Sequence, residues 1–211
     1  EGRFDEKNFS IQISQAEVSG GRINLTAYGR MSGGPFPIKT NAVAEGIDLN
    51  AIVKSASKLL EFPYGISGDL KKATFEGTIH SQDSLEGQAS VEGRKISMVN
   101  PETGRNIIKD AFLKAEIEFM GKDLALRAET TTGAILMRFS GTLKGFMGKE
   151  RHLQVKGILP EIEVTEIRNS FWDIFPDSLL YTGLHGSISS EISANYSKDG
   201  LEVSGSVHVK N

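Results

Sequence analysis

Apolar and polar residues alternate along residues 111–143, in three runs at 111–119, 124–128 and 135–143. A period of two sends successive side chains of an extended chain to opposite faces of a sheet. The stretch therefore predicts three amphipathic strands with one apolar and one charged face. Eight apolar side chains are the candidates for a ligand-binding surface on these strands: Leu113, Ile117, Phe119, Leu124, Leu126, Ile135, Met137 and Phe139.

The same alternation predicts strands on both sides of this stretch. They fall at residues 9–13, 23–27, a run ending near 47, 66–70, 73–79, 85–91, 96–98, 153–157, 188–194 and 201–209. Turn signals lie at 19–21 and 198–200, and 100–104 is typical of a loop. We predict an all-β, mostly antiparallel, strongly curved or folded-over sheet of about 10–12 strands. Residues 1–211 would form a single elongated domain.

Two segments have helical periodicity. In residues 48–60 the apolar residues share one helical face, with Asp48 as N-cap and Phe62-Pro63 at the end. The second, 165–180, contains Pro176, which would bend or break it. Three roles are open for its many aromatic residues. They would close the end of the core, or lie at the mouth of an open trough, or contact a membrane interface. Both helices precede a Gly-x-x-Gly and paired strands, so helix-plus-strand units are predicted at about 48–79 and 165–209.

Glycine recurs at apolar positions of the predicted strands. Because glycine destabilises strands and has no side chain to bury, its repetition suggests tight curvature or close approach of a partner to the backbone. Glycine is also simply common in antiparallel meanders. The positions are Gly29, Gly77, Gly87, Gly141, Gly157 and Gly205.

The apolar face is too wide for the helices to cover. About eleven strands spaced about 4.8 Å apart make a sheet about 50 Å wide, whereas a dozen-residue helix is about 18 Å long. The sheet must fold over into a sandwich or barrel with a closed core, or leave an open trough for an apolar ligand. The pattern leaves both possibilities open.

The remaining composition argues against catalysis and nucleic-acid binding. The 24 basic and 27 acidic residues leave a net charge of -3, there is no cysteine, and the four histidines are scattered. Glu116 and Glu118 share a strand face, but Lys114 beside them favours a solvated surface over a catalytic pair. No catalytic motif, signal peptide or apolar run of about 20 residues is present. We expect no enzyme and no cofactor, and a chain excised from a longer protein.

The two helix-plus-strand units resemble the AsmA/TamB-like group of bacterial envelope proteins. The similarity lies in GIDLNAIVKSASKLLEFPYGISGDL with TFEGTI, and in LLYTGLHGSISSEISANYSKDGLEVSGSVHVKN. It implies a periplasmic segment of a protein anchored in the inner membrane by an N-terminal helix not present here. It further implies a hydrophobic groove that binds phospholipid or other acyl lipid, for lipid transport or outer-membrane biogenesis. Envelope membranes or membrane proteins would be partners of the rest of the parent chain.

The alternative interpretation is a structural, or protein- or carbohydrate-binding, β-sandwich with a closed core. The eight candidate residues would then be ordinary core residues rather than the lining of a groove.

Overall fold

A computed structural model describes residues 1–4, 8–30, 37–51, 65–146, 151–170, 183, 185–198 and 200–210. Twelve strands form one antiparallel sheet in which each strand pairs with its neighbours in sequence. The sheet is not closed, so β1 and β12 are its two edges. The strands are β1 Gly2–Phe4, β2 Asn8–Val18, β3 Gly21–Arg30, β4 Ile38–Asp48, β5 Gly65–Ser81, β6 Ser84–Val99, β7 Asn106–Gly121, β8 Asp123–Thr132, β9 Ile135–Lys144, β10 His152–Glu163, β11 Ser187–Ser197 and β12 Gly200–Lys210.

The predicted all-β class and the three central strands are confirmed, because β7, β8 and β9 span residues 111–143. The sequence divided two of the longest strands wrongly. The segments 66–70 and 73–79 belong to the single 17-residue strand β5, and 85–91 and 96–98 belong to the 16-residue strand β6. Register shifts on either side of Asp69 and Leu70 interrupt the alternation without ending the ladder.

Asp48 caps a helix, as its position predicted. Residues 49–51 are helical, and the Asn50 N–H donates a hydrogen bond to Asp48 Oδ1 at 2.9 Å. The rest of the predicted 48–60 helix and Phe62-Pro63 lie outside the described residues. Helix α1, Val164–Ser170, begins the second predicted helix, whose aromatic residues and Pro176 also lie outside them. The repeat of helix-plus-strand units stays a prediction.

Both helices begin at the same end of the sheet, which we call the helix end, because β4 and β10 finish there. The buried hydrophobic residues of the described chain lie mainly towards this end: Ile47, Leu70, Ala111, Ala115 and Ile135. Two threonines are buried with them and donate to strand carbonyls, Thr132 Oγ1 to Lys109 O at 2.8 Å and Thr130 Oγ1 to Phe112 O at 3.1 Å. The closely packed core is therefore small and local.

No second sheet covers the first within the described residues. Close backbone contacts join neighbouring strands, and α1 contacts β9 and β10. A sandwich would bury most inward-facing side chains completely. Here most apolar side chains of the central strands stay half-buried.

Candidate functional site: the apolar sheet face

The ladder register assembles an uninterrupted apolar surface, which we call the apolar face. Directly paired residues of an antiparallel ladder point to the same side of the sheet. One row of such partners, the middle row, runs from β2 to β12 without a polar side chain: Ile13, Leu25, Ala42, Phe75, Ala89, Ile117, Leu126, Gly141, Val155, Ala194 and Val203.

Two flanking rows extend this surface along the strands. The row nearer the helix end is also free of polar side chains: Ala16, Ile23, Ala44, Ala73, Val91, Ala115, Ala128, Phe139, Gly157, Ile192 and Gly205. The row further from the helix end has two exceptions, Thr40 and the amphipathic Tyr196. Its members are Ile11, Ala27, Thr40, Gly77, Gly87, Phe119, Leu124, Leu143, Leu153, Tyr196 and Leu201. The three rows make an apolar surface eleven strands wide.

All eight candidate residues lie on the apolar face. Ile117 and Leu126 are direct partners in the middle row, and Phe119 and Leu124 are direct partners in the row further from the helix end. The other four candidates lie on β7 and β9. Seven of them are half-buried and lie on β7, β8 and β9. Ile135 differs, because at the helix end it is 0% exposed. Its side chain is therefore inaccessible to a ligand in this structure.

Three glycines on the apolar face, Gly29, Gly87 and Gly157, each lie opposite a phenylalanine of the neighbouring strand. Phe9 pairs with Gly29 and Phe139 with Gly157. A Cβ at Gly29 would lie 2.5 Å from Phe9 Cε1, and one at Gly157 would lie 3.2 Å from Phe139 Cε1. Each ring thus occupies the space that a side chain on the facing strand would need. The alternating pattern reveals these glycines, but their pairing with phenylalanine becomes visible only once the register of the hairpins is assigned.

The same arrangement creates an aromatic cluster at the centre of the sheet. Phe119 pairs with Gly87 of β6, and Phe75 of β5 approaches from the other side. Their rings meet edge to face with centroids 5.8 Å apart, and Phe119 also contacts Phe146 at 5.7 Å. Such ring pairs add to the stabilisation that burial alone provides. Glycine in β6 therefore lets aromatic side chains two strands apart make contact.

Exposure of the apolar face increases towards β12. A shallow cavity of about 170 Å³ lies over β9, β10 and β11, with Met137, Val155, Leu159 and Ile192 in its lining. Ile192 is 51% exposed, and Val203 and Val207 of β12 are 63% and 65% exposed. This edge leaves the most apolar area in water.

The opposite face is polar and is crossed by ion pairs between neighbouring strands. Arg138 contacts Glu129 at 3.1 Å, and Lys156 contacts Glu191 at 2.7 Å. At the helix end, hydrogen bonds from Lys210 and Ser187 to Glu161, together with the Lys210 charge, lower the pKa of that carboxyl group. The described residues contain no cluster of three side chains suited to binding a metal ion. The polar face therefore carries pairs of opposite charge at the solvent.

Comparison with protein-family models, with curated proteins and with solved structures finds no match to this chain. Among the described residues, no helix has both the length and the apolar character needed to cross a membrane.

Proposed function

We propose that this chain is a non-enzymatic lipid-binding segment whose apolar face holds acyl chains. The observation that carries the proposal is the middle row, which crosses eleven strands without a polar side chain. No second sheet covers this row in the described part of the chain. A continuous apolar surface of this extent marks a binding site in a water-soluble protein.

Acyl chains suit this surface because their binding needs no directional contact. Burial of a methylene group stabilises by about 0.8 kcal/mol wherever apolar contact is available. The middle row and the row nearer the helix end offer similar apolar contact from strand to strand and no polar side chain that would fix one position. A bound chain could slide along the face, which is the behaviour that lipid transport requires.

The resemblance to AsmA/TamB-like proteins supplies the biological setting of the proposal. In that setting the chain is a periplasmic part of a longer, membrane-anchored protein that serves lipid transport or outer-membrane biogenesis. Phospholipid or another acyl lipid is its ligand. The rival closed-core interpretation has less support, since the sheet is open and seven of the eight candidate side chains keep part of their surface accessible.

A photoactivatable fatty acid tests the proposal without altering the protein. After irradiation and proteolysis, we expect mass spectrometry to locate the label on apolar-face residues such as Leu113, Ile117 and Leu126. Phe112 and Met120 are the internal control, since they are 41% and 49% exposed but lie on the opposite face. Equal labelling of both faces, or no labelling and no co-purified lipid by native mass spectrometry, would contradict lipid binding.

A matched pair of variants provides the affinity measurement for the same prediction. Ile192→Asp places a carboxylate beside the shallow cavity at a site exposed enough to keep it solvated. We expect it to weaken binding of a fluorescent fatty acid about fivefold or more, because a charge beside an acyl chain loses hydration. Met120→Asp places a carboxylate on the polar face at similar exposure, 49% against 51%, and should leave affinity within about twofold.

A further inference from the structure

The polar face carries a long depression that crosses the strands. Three shallow cavities of about 720, 630 and 520 Å³ lie in succession over β2–β6, β4–β8 and β8–β11. Asn41, Glu76 and Gln88 line both the first and the second cavity, and Ala125 and Arg127 line both the second and the third. Because each cavity adjoins the next, the three form one depression, which we call the polar groove.

Each strand from β3 to β11 contributes one residue to a row along the polar groove, the floor row. Its successive members are direct ladder partners and all line the three cavities: Thr26, Asn41, Glu76, Gln88, Glu118, Ala125, Thr142, Gln154 and Asn195. Every member except Ala125 is polar and exposed. Nine strands spaced about 4.8 Å apart make the row about 38 Å long.

The polar side chains of the floor row are available to a ligand. None of them makes a side-chain hydrogen bond or an ion pair within the part of the chain that the structure describes. Other side chains of the same face are paired, as Lys156 is with Glu191 at 2.7 Å. Carboxamides and hydroxyl groups both donate and accept hydrogen bonds, and carboxylates accept them. The floor row therefore offers donors and acceptors at regular intervals.

Tyr28 adds an aromatic surface to the polar groove. Its side chain lines the first cavity and is 50% exposed. The Tyr28 hydroxyl donates a hydrogen bond to Asn8 Oδ1 at 3.3 Å, which orients the ring. A tyrosine ring combines a flat apolar body with a polar tip. It can therefore stack on a second ring that is itself amphipathic.

We propose that the polar groove binds a linear neutral glycan that lies across the strands. A sugar ring has an apolar face of C–H groups, which suits Tyr28, and a rim of hydroxyl groups that donate and accept hydrogen bonds. The length of one unit in an extended β-linked chain is close to the strand spacing. Successive sugar units therefore meet successive floor residues. The glycan lies on the face opposite to the acyl chains, so this inference goes beyond the proposed function.

The charge and chemistry of the groove favour a neutral glycan over other polymers. Four carboxylates and two cations line the first two cavities: Glu76, Glu86, Glu116, Glu118, Lys39 and Arg127. This excess of negative charge repels nucleic acids and acidic polysaccharides. A protein partner would need an apolar centre to supply binding energy, and Ala125 is the only apolar member of the floor row.

Isothermal titration calorimetry of the whole chain with two extended glycans, cellohexaose and chitohexaose, tests the proposal. We expect at least one to bind with a dissociation constant of about 1 mM or lower. Maltohexaose is the control for shape, because its α-linkages coil the chain out of step with the strands. It should bind about fivefold more weakly or not at all. Failure of both extended glycans to bind at about 5 mM, or equal affinity for maltohexaose, would overturn the proposal.

A matched pair of tyrosine variants tests the face that binds. Tyr28→Ala should raise the dissociation constant about fivefold or more, since it removes the stacking surface, and Tyr28→Phe should stay within about twofold. Tyr196→Ala removes a ring of similar exposure, 51%, from the apolar face, and should also stay within about twofold. Equal weakening by Tyr28→Ala and Tyr196→Ala would contradict binding in the polar groove. Neither outcome bears on lipid binding, because Tyr28 lies on the opposite face from the acyl-chain site.

Nuclear magnetic resonance of side-chain amides locates the bound glycan. On addition of the extended glycan that binds, we expect the NH₂ signals of Asn41 and Gln88 to shift. Gln82 is the control, since it lies in the exposed turn between β5 and β6 and outside the polar groove. Its signals should not move. Unchanged Asn41 and Gln88 signals in a protein that binds the glycan would place the site elsewhere and overturn the proposal.

Discussion

Gly87 shows how a single residue shapes the apolar face. It faces Gly77 on one side and Phe119 on the other. A Cβ built on Gly87 would lie 2.4 Å from Glu76 O and 2.5 Å from the Gly77 Cα. Both are backbone atoms, which cannot rotate away as a side chain can. The absence of a side chain here therefore permits the close approach of β5 and β6 beneath the aromatic cluster.

Gly87→Ala should consequently destabilise the protein. We expect the free energy of unfolding to fall by about 1–3 kcal/mol, because the added methyl group forces the strands apart. Gly65→Ala is a control in the same pair of strands, since its Cβ would meet Val99 O at an ordinary 3.8 Å. It should alter stability by less than about 0.5 kcal/mol in urea titrations. Similar losses from both substitutions would show that backbone proximity is not the cause.

At the scale of elements, hydrophobic periodicity predicted where strands lie better than where they end. Alternation revealed β7, β8 and β9 because their ladders have few irregularities. It divided β5 and β6, since a bulge shifts the phase of alternation while hydrogen bonding continues. It also could not distinguish Ile135 from Leu143, two apolar residues of β9. Their different environments arise from the packing at the helix end, which no local pattern encodes.

This difference within β9 has a measurable consequence. Ile135 is 0% exposed near α1, whereas Leu143 is half-buried at the other end of the strand. We expect Ile135→Ala to lower the free energy of unfolding by about 2–5 kcal/mol, since it leaves a cavity in packed surroundings. Leu143→Ala should cause about half that loss or less, because water already reaches the site. Equal losses in chemical denaturation would mean that the helix end has no special role in the core.

For the whole molecule, the sequence predicted an antiparallel sheet of about the right number of strands but left its closure open. Each hairpin is specified locally, by alternating residues and a turn. Closure depends instead on curvature summed over twelve strands and on bulges such as those in β5 and β6. Small differences at each strand accumulate into an open or a closed sheet. The candidate site was therefore predictable as a set of residues, but not as an accessible surface.

The open meander also predicts how stability is distributed across the molecule. Each strand pairs only with its sequence neighbours, so stability should approximate a sum over neighbouring interfaces, as in repeat proteins. The longest strands, β5, β6 and β7, have 16 or 17 residues and partners on both sides. The edges lack one partner, and opening should begin there.

Hydrogen exchange would reveal this gradient. In this chain we expect the slowest amides in β6 and β7 and the fastest in β1 and β12. Exchange rates should rise outwards strand by strand, because opening one interface does not require its distant neighbours to open. A uniform rate across the strands would instead indicate a single cooperative unit, in which case stability would depend on contacts other than the neighbouring ladders.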